Sequence, residues 1–192
     1  MSNEQLKLRR MILAALFAAI TGILAQMTIP LPLVPITGQT LAIGLAATIL
    51  GARYGTLSIL LYLALGAVGV PVFAEMKSGV SVLFGPTGGY LVGFIPTAFI
   101  IGWYLEKTSF TFKQAMIANT IGMIVTLTIG TAWLKVSAGL PWTGALKGGF
   151  YPFIPVGIIK AALAASIGIG VRKRLVSANL LGSITTGIKQ NF

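Results

Sequence analysis

The sequence predicts an all-α membrane protein: six transmembrane helices in one bundle, with both termini cytoplasmic. Three observations carry that expectation. The 192 residues are 56% hydrophobic and only 9% charged, with a mean hydropathy of +0.92, whereas a soluble domain carries about 25% charged residues. The apolar residues fall in runs close to the roughly 20 residues that cross a bilayer. The basic residues are biased to one side of those runs. The length suits a single domain over 1–192, with 177–192 as a possible loose tail.

The first span is expected over 8–28. Basic residues precede it, as in a signal peptide, but the run is long for that role and more spans follow, so it reads as a mature helix. The others are expected over 39–51, 54–70, 89–105, 113–136 and 153–171, the second being short. Alternation then sorts the cations. Lys7, Arg9, Arg10, Arg53, Lys107, Lys113, Arg172, Lys173, Arg174 and Lys189 fall on the side of the termini. Lys77, Lys135 and Lys147 fall on the other, and Lys160 lies inside a span. Such a bias places the termini in the cytoplasm.

The cytoplasmic connections "GAR" and "EKTSFTF" are short. The external ones, 29–38, 71–88 and 137–151, are longer and mix Pro, Gly and bulky apolar residues. Water solvates such loops poorly, so they are expected to fold onto the bundle and build a site at the external face. The alternative is loose surface loops.

Several function classes are excluded. The net charge of +11 is scattered at the ends of apolar runs, so the expected surroundings are membrane lipid and not nucleic acid. The chain has no Cys and no His, which removes thiol chemistry and the commonest metal ligand and proton shuttle. Neither a metal site nor a cofactor is expected. There is no P-loop motif. The acids are Glu4, Glu75 and Glu106, all outside the predicted spans, whereas ion-driven transport usually places an acid within the membrane. An autonomous transporter or channel is therefore disfavoured, and any driving energy is expected from a partner. A Ser–Lys enzyme would need Ser166, which lies about 9 Å along the helix from Lys160 and off its face.

Lys160 is the first candidate. A lysine at the centre of a spanning helix costs roughly 2.5–3.5 kcal/mol on insertion scales, and no acid is placed to offset it. It lies about 10 Å below the external end of its span. The functional reading is an ammonium that binds an anion, most simply a substrate carboxylate. The alternative is a side chain that snorkels to the interface. The second candidate is "LFGPTGGYLVGF" (83–94). Gly85 and Pro86 break the chain, Thr87 is expected to cap the next helix through its hydroxyl, and Gly88 and Gly89 permit close approach. Tyr90 falls in the first turn. That helix N-terminus rivals Lys160 for an anion; the alternative is an ordinary loop-to-helix junction. The third is "PLPLVPITGQT" (30–40), which brings Thr37, Gln39 and Thr40 to the external end of span two. Gln39 offers both an amide N–H and a carbonyl, suited to a urea; a capping cluster is the alternative.

Phe73, Tyr90, Trp142, Phe150 and Tyr151 gather at the same level, either as a site wall or as an interfacial belt, to which Trp142 is assigned. Asn119 falls in the cytoplasmic half of span five and is left out of the site. In "ILAALFAAITG" (12–22), Ala14 with Ala18 and Ala15 with Ala19 form small-residue patches. These suit close packing against another helix of the chain or a partner subunit.

The stretch "PLPLVPITGQTLAIGLAATILGARYGTLSILLYLALGAVGVPVF", then "GPTGGYLVGF", then "PFIPVGIIKAALA" closely resembles the BioY family, biotin-binding substrate-specificity subunits of energy-coupling-factor (ECF) vitamin transporters. The resemblance covers about 8–175. It implies a multi-pass protein of a prokaryotic plasma membrane with an outward-facing biotin site. The implied partners are an ECF transmembrane coupling subunit, docked on Ala14, Ala15, Ala18 and Ala19, and two ATPase subunits. It implies that Lys160 holds the biotin carboxylate and that Tyr90 and Phe73 pack on the ring or tail. Gln39 and Thr37 would contact the urea, with 29–38 as a lid. The family pattern Pro-Gly-Asp-x-x-Lys reads here as Pro155 to Lys160 with Gly157 at the aspartate position. Gln39, Thr37, Ser78 or Ser81 are the candidates to take over that role.

Overall fold

A computed structural model describes residues 3–181. The chain is mostly helical: α1 Asn3–Ala25, α2 Gln39–Ala67, α3 Val80–Phe84, α4 Gly88–Lys107, α5 Phe112–Ser137, α6 Trp142–Gly149 and α7 Phe153–Ser177. Two short strands, β1 Thr28–Ile29 and β2 Ile36–Thr37, pair antiparallel with Thr28 opposite Thr37. They clamp the proline-rich loop that follows α1. Lys189 and most of the tail lie outside the described residues.

Five helical stretches are long and apolar enough to cross a membrane: Glu4–Ala25, Gln39–Ala67, Gly88–Lys107, Phe112–Ser137 and Trp142–Ser177. Leu8, Ile12, Leu16, Ile23, Phe99 and Trp103 stand on the outer surface of the bundle. An apolar exterior of this extent suits lipid and not water.

The expected "GAR" loop between spans two and three is corrected to a single non-helical residue inside α2. Gly51 has φ 82° and ψ −174°, a conformation that a side chain disfavours. The chain reverses there. Gln39 and Tyr62 are hydrogen-bonded at 2.5 Å, whereas a straight helix would hold residues that far apart in sequence about 35 Å from each other. The arms 39–50 and 52–67 cross where a Cβ on Gly55 would stand 2.8 Å from the Ala47 Cα, a small-residue contact of the kind that brings membrane helices together. Glu106 closes the turn: its Oε1 accepts the Ala52 N–H at 2.9 Å, an amide left orphan at the start of the second arm.

The long connections are also more ordered than expected. The stretch 137–151 contains α6, and 71–88 contains a 3₁₀ turn at Ala74–Met76 and the short α3. Gln26, just beyond α1, holds the 3₁₀ turn through Nε2 to the Phe73 carbonyl (3.0 Å) and Oε1 from the Met76 N–H (2.9 Å). The core lies between α2, α4, α5 and α7, with Tyr62, Phe73, Tyr90, Phe94, Ile101 and Leu134 among its buried members. At the Gly51 end, the Arg10 guanidinium donates to the Leu181 carbonyl, so both ends of the described chain meet there.

Arg172 is corrected too. The sequence reading grouped it with Lys173 and Arg174 as a charged helix end, but Arg172 is only 5% exposed. It turns inward to the Ile49 carbonyl.

Candidate functional site

At the end of the bundle opposite Gly51, the reversed helix, α4, α5, α7 and the connecting loops line an open cleft of ≈ 680 Å³. Lys160 reaches it from α7. Its Nζ donates to the Thr37 carbonyl at 2.5 Å and to Thr40 Oγ1 at 3.1 Å. The cation is thus held by two neutral acceptors. Among the described residues the one ion pair is Lys77–Glu75 at 2.6 Å, also beside the cleft. Those two charges cancel, so Lys160 sets the sign of the cleft. An ammonium has three N–H donors, and two are committed.

The walls are aromatic. Phe73 is buried, edge-on to Tyr62 with centroids 5.6 Å apart. Tyr90 stacks with Phe153 at 6.2 Å. The Tyr90 hydroxyl is spent on the Gly149 carbonyl (2.7 Å), so its ring and not its OH is offered to a ligand. Thr37 Oγ1 donates to Gln39 Oε1 at 2.7 Å, and Gln39 Nε2 donates to the Tyr62 OH. This chain orients the Gln39 amide at the cleft wall. Val34 and Pro35 of the clamped loop line the cleft as well.

The structure therefore brings Lys160, Thr37, Gln39, Phe73, Tyr90 and Thr87 to one cleft. Thr87 is there without its expected cap: it has helical φ −88° and ψ −6° and makes no side-chain cap bond. A capping hydroxyl needs an extended residue to reach back to the amides. Gly85, Gly88 and Gly89 do not line the cleft; they serve packing. The Gly85 carbonyl accepts from Trp133 Nε1 at 2.9 Å, Gly88 sits on the Leu83 backbone and Gly89 on the Trp133 side chain. Ser81 is exposed and lines no part of the cleft, and neither does Ser78. Trp142, Phe150 and Tyr151 also stand outside it.

A smaller cavity of ≈ 340 Å³ continues past Lys160 between α5 and α7, lined by Thr97, Asn119, Met123, Thr126 and Gly157 among others. Asn119 is thus next to the site and not remote from it, bonded to Thr48 Oγ1 at 3.0 Å. Thr97 and Thr126 share a hydrogen bond of 2.7 Å. The Met123 sulfur occupies the space that a side chain at 157 would need. The residues not foreseen had a signal: Phe153 precedes Gly157 and Lys160, and Met123 and Thr126 follow Asn119, at the three-and-four spacing of a single helix face. Of the four alanines, Ala14 and Ala18 are buried within the chain, while Ala15 and Ala19 face outward. Ala14 and Ala18 are therefore not open to a partner as expected, because the two stripes lie on different faces of α1.

Several apolar helices around an open cleft whose one ammonium without an ionic partner is Lys160 define a multi-pass membrane protein with a site for a small solute. The BioY family model matches residues 1–177. The chain belongs to that family. It is 45% identical over 176 residues to the biotin transporter BioY2 of Lactococcus lactis subsp. cremoris, covering 92% of this chain and 97% of that protein. It is 39% identical to the biotin transporter BioY of Thermotoga maritima, covering 86% and 97%. A crystal structure of the S-component for biotin from an ECF-type ABC transporter superposes with a TM-score of 0.81 at 32% identity, covering 90% of this chain and 95% of that one.

Proposed function

We propose that this chain is the biotin-capturing membrane subunit of an ECF-type importer and that the Lys160 cleft is its binding site. The observation that carries the reading is the Lys160 ammonium, bonded to neutral acceptors only and turned into an aromatic cleft. Biotin has one carboxylate, an apolar body and a urea. The ammonium offers its remaining donor to the carboxylate, Phe73 and Tyr90 pack on the apolar parts, and the oriented Gln39 amide faces the urea. The loop 30–35 closes over the ligand. The names of the relatives support the choice of biotin.

The arms of α2 count as two crossings, which gives six, and the positive bias puts both termini in the cytoplasm. Ala15 and Ala19 give the coupling subunit a face on α1, and two ATPase subunits supply the energy. Titration calorimetry of the purified chain with biotin and with biotinamide tests the site. Biotin is expected to bind at least about tenfold more tightly, the difference of one charge-assisted hydrogen bond. Equal affinities would remove the role of Lys160.

A further inference from the structure

At the Gly51 end, Arg10, Arg53 and Arg172 surround a second opening of ≈ 460 Å³. It is remote from the cleft: Arg172 lies about 18 Å along α7 from Lys160. The Arg172 guanidinium is buried, donates to the Ile49 carbonyl and lies 3.5 Å from the centroid of the Phe110 ring. Arg10 donates through Nε and Nη2 to one carbonyl, that of Leu181, at 2.9 and 2.5 Å. Arg10 and Arg53 flank the Tyr54 ring at 5.8 and 5.7 Å. Apart from Glu106, whose charge attracts Arg172, no negatively charged group of the described residues lines this opening. The one carboxylate at the opening, Glu106, gives Oε1 to the Ala52 amide and closes the helix reversal.

Three guanidinium groups thus converge on a cavity with one carboxylate, and that carboxylate is partly committed elsewhere. A buried cation is costly unless an anion or a full set of acceptors accompanies it. Guanidinium forks match the oxygens of phosphate better than those of a spherical anion. Leu50, Tyr54 and Leu181 add an apolar lining, and basic pockets between membrane helices suit phospholipid head groups. We propose that this opening binds a phosphate oxyanion through Arg10, Arg53 and Arg172, supplied either by an anionic phospholipid or by free phosphate.

The test uses the full chain in neutral detergent. Native mass spectrometry with dioleoylphosphatidylglycerol against dioleoylphosphatidylcholine probes the lipid source. Thermal shift with inorganic phosphate against chloride at matched ionic strength probes the soluble one. Retention of the anionic lipid at about tenfold lower concentration than the zwitterionic one, without a phosphate-specific shift, assigns the site to lipid. A phosphate-specific shift without lipid preference assigns it to free phosphate. In either case Arg53→Gln is expected to weaken binding about tenfold, the scale of one charge-assisted hydrogen bond, and Arg53→Lys to restore part of it. Arg53 is exposed, so this variant is expected to melt as the parent does, which separates lost binding from unfolding. No preference with either probe, or a preference that survives in Arg10→Gln/Arg53→Gln, overturns the proposal.

Discussion

Replacing Lys160 with Met gives the most direct measure of the site. The substitution keeps the stem and removes the ammonium with its bonds to Thr37 and Thr40. Losing one partner of a desolvated, hydrogen-bonded charge pair costs about 2–5 kcal/mol. Lys160 is only half-buried, so water compensates in part and the lower end applies, about 2–3 kcal/mol. That corresponds to roughly 30- to 150-fold in Kd. Calorimetry with biotin and biotinamide on both proteins completes a double-mutant cycle. The parent chain is expected to discriminate between the ligands, and Lys160→Met to bind them alike. A Kd for biotin within about threefold of the parent would refute the reasoning, since that is below the smallest loss expected for a desolvated pair. So would discrimination that survives the substitution.

Tyr90→Phe keeps the ring and loses the bond to the Gly149 carbonyl; thermal melts are expected to show about 1 kcal/mol of lost stability, with biotin affinity within about twofold because the ring face remains. Glu106→Ala leaves the Ala52 amide without its acceptor and is expected to cost about 1–3 kcal/mol, whereas Glu106→Gln retains an acceptor and costs less. Ala15→Phe, on the outward face of α1, is expected to leave biotin binding by the isolated chain unchanged and to impair uptake by cells carrying the complete importer. Ala14→Phe forces a ring into a position 0% exposed and is expected to lower the melting temperature through overpacking of about 1–3 kcal/mol.

Hydropathy made most of the helices legible, because lipid imposes its length requirement directly on the sequence. Lys160 was legible for the same reason: a charge inside an apolar run stands out. The reversal at Gly51 was foreseen as a short loop, but not its tightness, which depends on Glu106 arriving from α4. Thr126 was not singled out and Asn119 was left out of the site, because a small polar residue in a span looks the same whether it bonds its own helix or faces a cavity. Arg172 was misread because composition cannot distinguish a cation at a helix end from one turned inward. Ala14 and Ala18 differ from Ala15 and Ala19 only by rotation about α1, and the sequence does not tell which stripe meets α2.

The reversal at Gly51 has a mechanical consequence. One residue joins the arms of α2 there, and only 108–111 join α4 to α5 at the same end. The longer connections, 26–38, 68–87 and 138–152, lie at the opposite end, and residues of the first two line the cleft. Chain length between the helices is therefore distributed like that of a pair of tongs, short at the pivot and long at the tips. Traffic of a solute can be served by the tips alone, with the pivot held still.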